Sequence, residues 1–436
     1  MTSKKGIDNY HPEIATQVIE RTLDLITPID GTPLSLILPT IGDESNFELI
    51  AAGLKQLDGT SIDHMILIGS PAGQTSAETL LDGNFVTLVG KFDIDTNLAR
   101  ALVEIQPVSA DTSISNFYSA FGQVLPFIKR VAPFAKILPI LLDPADIETA
   151  QNIAQTLAEM LRDKSSAMVV LSNIDDLTLT AVEFGDINIL RQSIPHIQSQ
   201  TGANPAISPA GILAAVQFAQ LSGSNTTTVL KSMIDVQKTT PTQRIVKASL
   251  MLYNYTPPSF VQAQEEELIE LAKSAITSYI TSRQIPKYTT DDPAYLRKTG
   301  IFVTLRQNGD LRGCIGRLQA DMPLYRVLQE IAIAAATADP RFPPIRTHEI
   351  NHLSFKIAVL SPMQRISINE IEVGKHGLLI AHKGRRGVLL PDVPVERGWD
   401  RQTFLENLCL KAGLPQNAWR ENPTLYGFTA VEFGSD

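Results

Sequence analysis

The sequence predicts a two-domain protein in which a layered α/β domain precedes an α+β domain. Its 436 residues are enough for two domains that each bury a core. In the first part, runs that are apolar on both faces alternate with amphipathic helical stretches, a pattern typical of a sheet covered by helices. In the second part, hairpin signals and helices follow one another without that regular alternation, which indicates an α+β domain.

The first domain is expected to contain a series of buried strands separated by helices. Each strand is a short apolar run, and each helix repeats its apolar residues at helical spacing. A helix at 209–221 has Pro209 near its start, where proline is well tolerated. The predicted strands are 34–39, 65–69, 85–89, 137–142, 167–171 and 245–253, and the other predicted helices are 12–25, 45–57 and 146–161.

The second domain is expected to open on a helix at 264–282, whose glutamates at its start suit the helix dipole. Asn308-Gly309 predicts a hairpin turn between strands at 302–305 and from 311 onward. The remaining predicted elements are a helix at 323–338, a strand at 353–360, a hairpin of 377–380 with 387–390, and a helix at 402–411 that stops before Gly413.

These signals place four segments along the chain. Residues 1–30 are expected to form an N-terminal arm and residues 31–253 the α/β domain. Residues 254–263, which include Pro257-Pro258, are expected to be a linker, and residues 264–436 the α+β domain.

Composition narrows the classes of function. No run reaches the roughly 18 apolar residues of a membrane helix, and the first residues lack the apolar core of a signal peptide, so no membrane association is expected. With Cys314 and Cys409 as the only cysteines, we expect no disulfide framework and a reducing, cytoplasmic setting. The first 261 residues carry 16 basic and 26 acidic side chains, so nucleic-acid binding is not expected of the N-terminal domain.

The run Leu311-Arg312-Gly313-Cys314-Ile315-Gly316 is the strongest candidate for a site. Two glycines weaken a strand, which indicates that a ligand, a bend or another chain segment comes close to the backbone. Residues two apart on a regular strand share a face, so Arg312 and Cys314 could cooperate. Three interpretations of Cys314 stay open: a small buried core residue, part of a ligand pocket, or a nucleophile that still needs a base.

A second candidate is Asp339-Pro340-Arg341-Phe342, which follows a predicted helix. One interpretation is a stop signal, because the residue before proline rarely stays helical. The other is functional: Arg341 would join Arg312 in a clamp for a carboxylate or phosphate group.

The second domain resembles the AMMECR-one family over roughly residues 262 to 433. That resemblance implies an α+β fold with a pocket lined by the motif, for which no reaction is settled. The expected ligand-binding residues are Arg312, Gly313, Cys314, Gly316, Asp339 and Arg341. The residues that carry the resemblance are 311–316, Ala334-Ala335, 339–342, 353–360, 377–380, Leu389-Leu390-Pro391, Trp399-Asp400 and 411–414.

The first domain resembles, more weakly, the MEMO family, whose fold is shared with ring-cleaving non-haem iron dioxygenases. The matching stretches are 39–42, 69–72, 124–127, 138–141 and 169–173. The family's metal-binding positions fall at Thr40, Ala72 and Pro205, none of which supplies a ligand for iron. We therefore expect no metal and no cofactor in this domain.

Two functional hypotheses follow. The first is an accessory protein whose C-terminal pocket binds a small anionic group or a peptide, while the MEMO-like domain serves as an interaction platform. The two resemblances together imply a radical SAM protein as a partner. The alternative is an enzyme that uses Cys314, with Arg312, in transfer or modification chemistry on a protein, peptide or nucleotide.

Overall fold

The computed structural model describes residues 12–26, 31–40, 46–71, 77–104, 108–111, 113–175, 178–179, 182, 207–224, 226–234, 245–320 and 322–434. The chain divides into two compact units, Met1–Tyr255 and Thr256–Asp436. Among the described residues, no helix combines the length and the apolar character that crossing a bilayer would need.

Unit 1 is built on a large mixed sheet. Its strands are β1 (Thr32–Leu38), β2 (His64–Gly69), β3 (Glu78–Leu80), β4 (Asn84–Thr87), β5 (Gly90–Asp93), β6 (Ser109–Asp111), β7 (Lys136–Leu141), β8 (Ser166–Leu171), β9 (Ile174–Asp175), β10 (Thr226–Ile234) and β11 (Ile245–Asn254). Its helices are α1 (Pro12–Asp24), α2 (Phe47–Leu54), α3 (Thr96–Val103), α4 (Ile114–Phe121), α5 (Leu125–Val131), α6 (Ile147–Met160) and α7 (Pro209–Leu221).

The sheet has the strand order β10-β11-β1-β8-β2-β7-β3-β6, and β9 also pairs with β11. Its centre is parallel, because β8 pairs in parallel with both β1 and β2, and β2 pairs in parallel with β7. Strands β10 and β11 are antiparallel to their neighbours. Apolar side chains cover both faces of this centre and form two core clusters, one with α1, α2 and α5 and the other with α6 and α7. This arrangement is the predicted α/β layered sheet.

One segment of unit 1 differs from the expectation. Residues 85–89 were expected to add a strand to the layered sheet, but β4 pairs only with β5 in a separate two-stranded sheet. An apolar run predicts a strand without identifying its partner, so the sequence could not separate these cases. The first helix, α1, packs Ala15, Ile19 and Leu23 into the core of unit 1.

Unit 2 has an α+β fold with two four-stranded sheets. Its strands are β12 (Ile301–Gln307), β13 (Asp310–Arg317), β14 (Leu353–Leu360), β15 (Gln364–Arg365), β16 (Gly377–His382), β17 (Arg385–Leu389), β18 (Thr424–Phe428) and β19 (Ala430–Gly434). Its helices are α8 (Gln262–Ser282), α9 (Pro293–Leu296), α10 (Leu324–Thr337), α11 (Asp392–Glu396) and α12 (Arg401–Lys411). The sheet orders are β13-β12-β14-β19 and β15-β18-β16-β17.

The first sheet of unit 2 has an inner and an outer face. The inner face packs Ile301, Val303, Leu305 and Ile357 against α8 and α10. We define the outer face by Thr304, Cys314, Lys356 and Glu432, which alternate with the inner residues in the strand register. The second sheet packs α12 into a core of its own.

A β-bulge in β13 decides which face Cys314 occupies. The hairpin turn is Asn308-Gly309, as predicted, and both residues have positive φ. Thr304 pairs with Cys314 and Leu305 with Gly313, but Arg306 pairs with Leu311, so Arg312 is an extra residue. If the strands paired regularly from the turn, without a bulge, Cys314 would oppose Val303 on the inner face, because a one-residue shift exchanges the faces of a strand.

The structure shows what comes close to the backbone at the two glycines of the motif. A Cβ atom on Gly313 would lie 2.1 Å from the backbone oxygen of Ala335 in α10. A Cβ atom on Gly316 would lie 2.2 Å from the ring of Phe302. Both glycines therefore allow another segment of this chain to approach β13.

We expect Gly313→Ala to destabilise unit 2 by about 1–3 kcal/mol, because the rigid backbone of α10 must move to admit a methyl group. The measurement is the thermal transition of unit 2, followed by calorimetry on the full chain. Gly309→Asn is the control, since nothing lies within 4 Å of the added Cβ and asparagine tolerates positive φ. Equal losses in both variants would contradict the packing argument.

Candidate functional site

The Arg312 guanidinium forms an ion pair with the Glu349 carboxylate. Its Nε donates to Glu349 Oε1 at 2.9 Å, and its Nη2 donates to Oε2 at 3.3 Å. Its Nη1 donates to the backbone oxygen of Pro343 at 2.8 Å. The hydrogen bonds from Arg312 lower the pKa of Glu349, although burial opposes this. Arg312 thus fixes the segment around residue 349 against β13.

Asp339 is the buried centre of the second half of the site. Its side chain is 2% exposed, and its Oδ2 accepts the backbone N–H of Cys314 at 2.8 Å. The Arg341 guanidinium donates to both oxygens, from Nε at 3.0 Å and from Nη2 at 2.7 Å. Nη2 of Arg341 also donates to the backbone oxygen of Cys314 at 3.3 Å. The hydrogen bonds from Arg341 and from the Cys314 N–H hold the pKa of Asp339 well below its usual range, despite burial.

Together, Asp339 and Arg341 form the hydrogen bonds that a neighbouring strand would form with Cys314. β13 is the edge of its sheet, so alternate N–H and C=O groups point away from β12. At Cys314 the carboxylate accepts the outward N–H, and the guanidinium donates to the outward oxygen. The two backbone groups of one residue are therefore satisfied by one ion pair.

The thiol of Cys314 points into different surroundings from Arg312. The hydroxyl of Thr304 donates to its Sγ at 3.2 Å. Lys356 is the next residue in the same cross-strand row, because Thr304 pairs with both Cys314 and Lys356. Cys314 is partly exposed, whereas Phe302 and Ala358 of the same face pack into an apolar cluster with Phe428. The expectation that Arg312 and Cys314 share a face fails because the bulge at Arg312 interrupts the alternation.

Lys356 joins two carboxylates on the outer face. Its Nζ donates to Asp392 Oδ2 at 2.7 Å and lies 3.2 Å from Glu432 Oε2. The second oxygens, Asp392 Oδ1 and Glu432 Oε1, are buried without a hydrogen-bond partner. Burial lowers the pKa of Lys356, but its bond to Asp392 and the charge of Glu432 outweigh this and raise it. Burial and the charge of Asp392 raise the pKa of Glu432.

This arrangement limits the chemistry that the site can perform. Lys356 keeps its proton, so it can supply positive charge to the outer face but is not a ready general base. Two histidines of the unit are engaged elsewhere: His376 accepts from the backbone N–H of Glu372, and His382 contacts Glu421. Thr304 donates a hydrogen bond to the thiol sulfur, so it does not act as a base towards the thiol.

The family resemblance of unit 1 raises the question of a metal. Of the three positions, only Thr40 is described, and Ala72 and Pro205 lie outside the described residues. At Thr40 the backbone N–H donates to Asn173 Oδ1, and the backbone oxygen accepts from Asn46 Nδ2. His64 begins β2, at the opposite end of the strand from Gly69, and contacts Asp95. Across the described residues, no three His, Cys, Asp or Glu side chains converge as a metal would require. The described residues do not fit iron.

Sequence reasoning missed five residues of the site: Thr304, Glu349, Lys356, Asp392 and Glu432. Lys356 lies in a run that predicts a strand, and Glu349 lies shortly before that run, so neither residue carries a separate signal of a site. Thr304 is opposite Cys314 because of the register of β12 and β13. The bulge sets that register, and it leaves no clear signal in the sequence.

Family models match both units. A model described as Memo-like protein matches residues 8–281, and the AMMECR1 model matches residues 269–433. A protein of Methanopyrus kandleri is 41% identical over 179 residues, which cover 38% of this chain and 86% of the relative. A protein of Methanocaldococcus jannaschii is 39% identical over 175 residues, which cover 38% of this chain and 87% of the relative.

Two solved structures are also similar. An uncharacterised protein of Pyrococcus horikoshii has 38% identity and a TM-score of 0.38, covering 39% of this chain and 91% of the other. An uncharacterised protein of Escherichia coli K12 has 14% identity and a TM-score of 0.34, covering 50% of this chain and 98% of the other.

We expect Asp339→Asn to destabilise unit 2 by about 1–3 kcal/mol at neutral pH, because the amide loses the negative charge and sets its N–H groups against the Arg341 donors that the second carboxylate oxygen accepts. The pKa of Asp339 is lowered by folding, so its contribution is full above the unfolded value of about 3.9 and is lost as the pH falls through the lower folded value. The measurement is the stability difference between wild type and variant from pH 7 to pH 2. A difference that does not shrink in acid would contradict the role of the charge.

We expect Lys356→Met to destabilise unit 2 by about 3 kcal/mol or more, because it leaves two partly buried carboxylates without their cation. Glu432→Gln is the contrasting variant and should cost nothing at pH 7, since ionisation of Glu432 opposes folding once the pH exceeds its raised pKa. Any advantage of Glu432→Gln should vanish below about pH 4, where Glu432 is neutral in both states. Unfolding in urea at both pH values measures this. A larger loss for Glu432→Gln than for Lys356→Met would refute the assignment.

Proposed function

This chain belongs to the Memo-like protein family and carries an AMMECR1 domain in its C-terminal part, and from that premise we propose that it is an accessory binding protein. The AMMECR1 domain binds a small anionic group or an anionic peptide at Cys314 and Arg341. The Memo-like domain serves as a metal-free interaction platform. A radical SAM protein is the proposed partner.

The proposal rests on the exposure and the fixed orientation of the Arg341 side chain. Its side chain is 50% exposed although its guanidinium is oriented by Asp339. A fixed, exposed guanidinium binds a carboxylate or phosphate at low entropic cost. Arg312, which is 13% exposed and held by Glu349, is a positioning residue in this proposal. Gly313 and Gly316 let the neighbouring segments close on the strand.

The partly exposed thiol supports the alternative, an enzyme that uses Cys314. Lys356 lies in the same cross-strand row, but its charge is already paired with Asp392 and Glu432. The alternative still needs a base, and the histidines whose contacts are described above are engaged elsewhere. The binding hypothesis therefore explains the oriented, exposed Arg341, whereas the enzyme hypothesis leaves the thiol without a base.

The test of the binding proposal is Arg341→Gln in the full chain, with mononucleotides and peptides ending in a free carboxylate as probes. We expect affinity for the best probe to fall about tenfold, the cost of one charge-assisted hydrogen bond. Arg397→Gln, which removes another exposed arginine of the same unit, should leave affinity unchanged. Calorimetric titration measures both. Equal affinity in wild type and Arg341→Gln would overturn the proposed contact.

Cys314→Ser separates binding from catalysis. Retained affinity with no turnover in either protein supports a binding protein, whereas retained affinity with turnover that is lost only in the variant supports the enzyme that uses Cys314. The partner proposal is tested by co-purification of the full chain with a radical SAM protein expressed alongside it.

A further inference from the structure

The carboxyl ends of three adjacent parallel strands in unit 1 bring polar residues together. β1, β8 and β2 are neighbours, and they lead into Thr40, Asn173 and Ser70. The backbone N–H of Ser172 donates to Leu38 O at 2.7 Å, so β8 runs beside the end of β1. In open sheets of this kind, ligands bind outside the carboxyl ends of the strands.

Asn173 holds a buried donor without an acceptor. The residue is fully buried, and its Oδ1 accepts the backbone N–H of Thr40 at 3.2 Å. That contact fixes the amide orientation, because a flipped amide would set two donors against each other. Nδ2 therefore points away from the Thr40 N–H, and it is buried with no hydrogen-bond partner. An unmatched buried donor is costly, so it calls for an acceptor that occupies this place.

Asn46 and Lys247 bring an amide and a cation to the end of β1 beside Asn173. Asn46, which is 1% exposed, directly precedes α2 and donates from Nδ2 to the backbone oxygen of Thr40 at 2.9 Å. Lys247 donates from Nζ to Asn46 Oδ1 at 3.3 Å. Val246 pairs with Ile174 in antiparallel register, which brings Lys247 beside Asn173. The start of α2 adds the positive end of a helix dipole.

We infer that Thr40, Asn46, Asn173 and Lys247, which we call the Asn173 seat, bind a small oxyanion, a carboxylate or phosphate group. The ligand oxygen accepts from Asn173 Nδ2, and the ammonium of Lys247 balances the charge. A metal cation would instead meet an amide donor and an ammonium, so the described residues at this place favour an anion over a cation. The seat lies in the other unit from Arg341 and does not depend on the function proposed there.

The test uses the full chain with inorganic phosphate and with acetate as separate probes. We expect saturable binding of one equivalent of at least one probe by calorimetric titration, and the stronger probe identifies the class of oxyanion. Asn173→Asp keeps the oxygen that accepts from Thr40 but replaces the donor by a negative oxygen, so affinity should fall tenfold or more. Lys247→Met should also weaken binding. Lys231→Met is the matched control, since Lys231 lies on the neighbouring strand β10 and pairs with Glu48 of α2, and it should leave affinity unchanged.

Three results would overturn the inference. Absence of saturable binding of both probes would mean that a water molecule is the acceptor. Equal stabilisation of wild type and Asn173→Asp by phosphate would be a general salt effect. Tight, stoichiometric binding of ferrous iron or zinc that Asn173→Asp leaves intact would show a cation site instead. Arg341→Gln should not change phosphate binding at this seat, which separates the outcome from the test of the AMMECR1 domain.

Discussion

The carboxylate of Asp339 is the contact on which the candidate site of unit 2 depends. It lies between the edge of a sheet and a guanidinium, and it accepts from both. A sheet edge normally exposes its backbone groups to solvent or to another chain. Here a single ion pair closes the edge at Cys314, and the same contact orients Arg341 while its side chain stays half exposed. One carboxylate therefore both closes the edge and orients Arg341.

The motif around Cys314 divides its residues between the two faces of a strand. Arg312, the extra residue of the bulge, is bound by Glu349, and Gly313 admits the end of α10. Cys314 is turned to the outer face, where Thr304 donates to its thiol. Most of the motif is therefore explained by packing, and the thiol and the exposed part of Arg341 are what remain for a ligand.

Local signals predicted much of the fold. The helix at 209–221 and the strand at 353–360 match their observed bounds, because proline at the start of one and an unbroken β-rich run in the other leave little choice. β10 and β18 were not predicted from the sequence. The bulge was also beyond prediction, because one inserted residue reverses the face of every side chain after it. Contacts such as Arg312 with Glu349 depend on tertiary approach and leave no periodic signal.

The two units place charge in opposite ways. In unit 2, carboxylates at Asp339, Glu349 and Asp392 bind cationic side chains, whereas the strand ends of unit 1 gather donors around Asn173. The most direct test of the central claim is amide hydrogen exchange at Cys314 in wild type and in Asp339→Ala, which removes the acceptor of the Cys314 N–H. Closure of the edge by Asp339 predicts a slow Cys314 amide that exchanges at least tenfold faster in the variant, while the amide of Val303 in β12 is unchanged. Equal exchange at Cys314 in the two proteins would contradict the claim that Asp339 closes this edge.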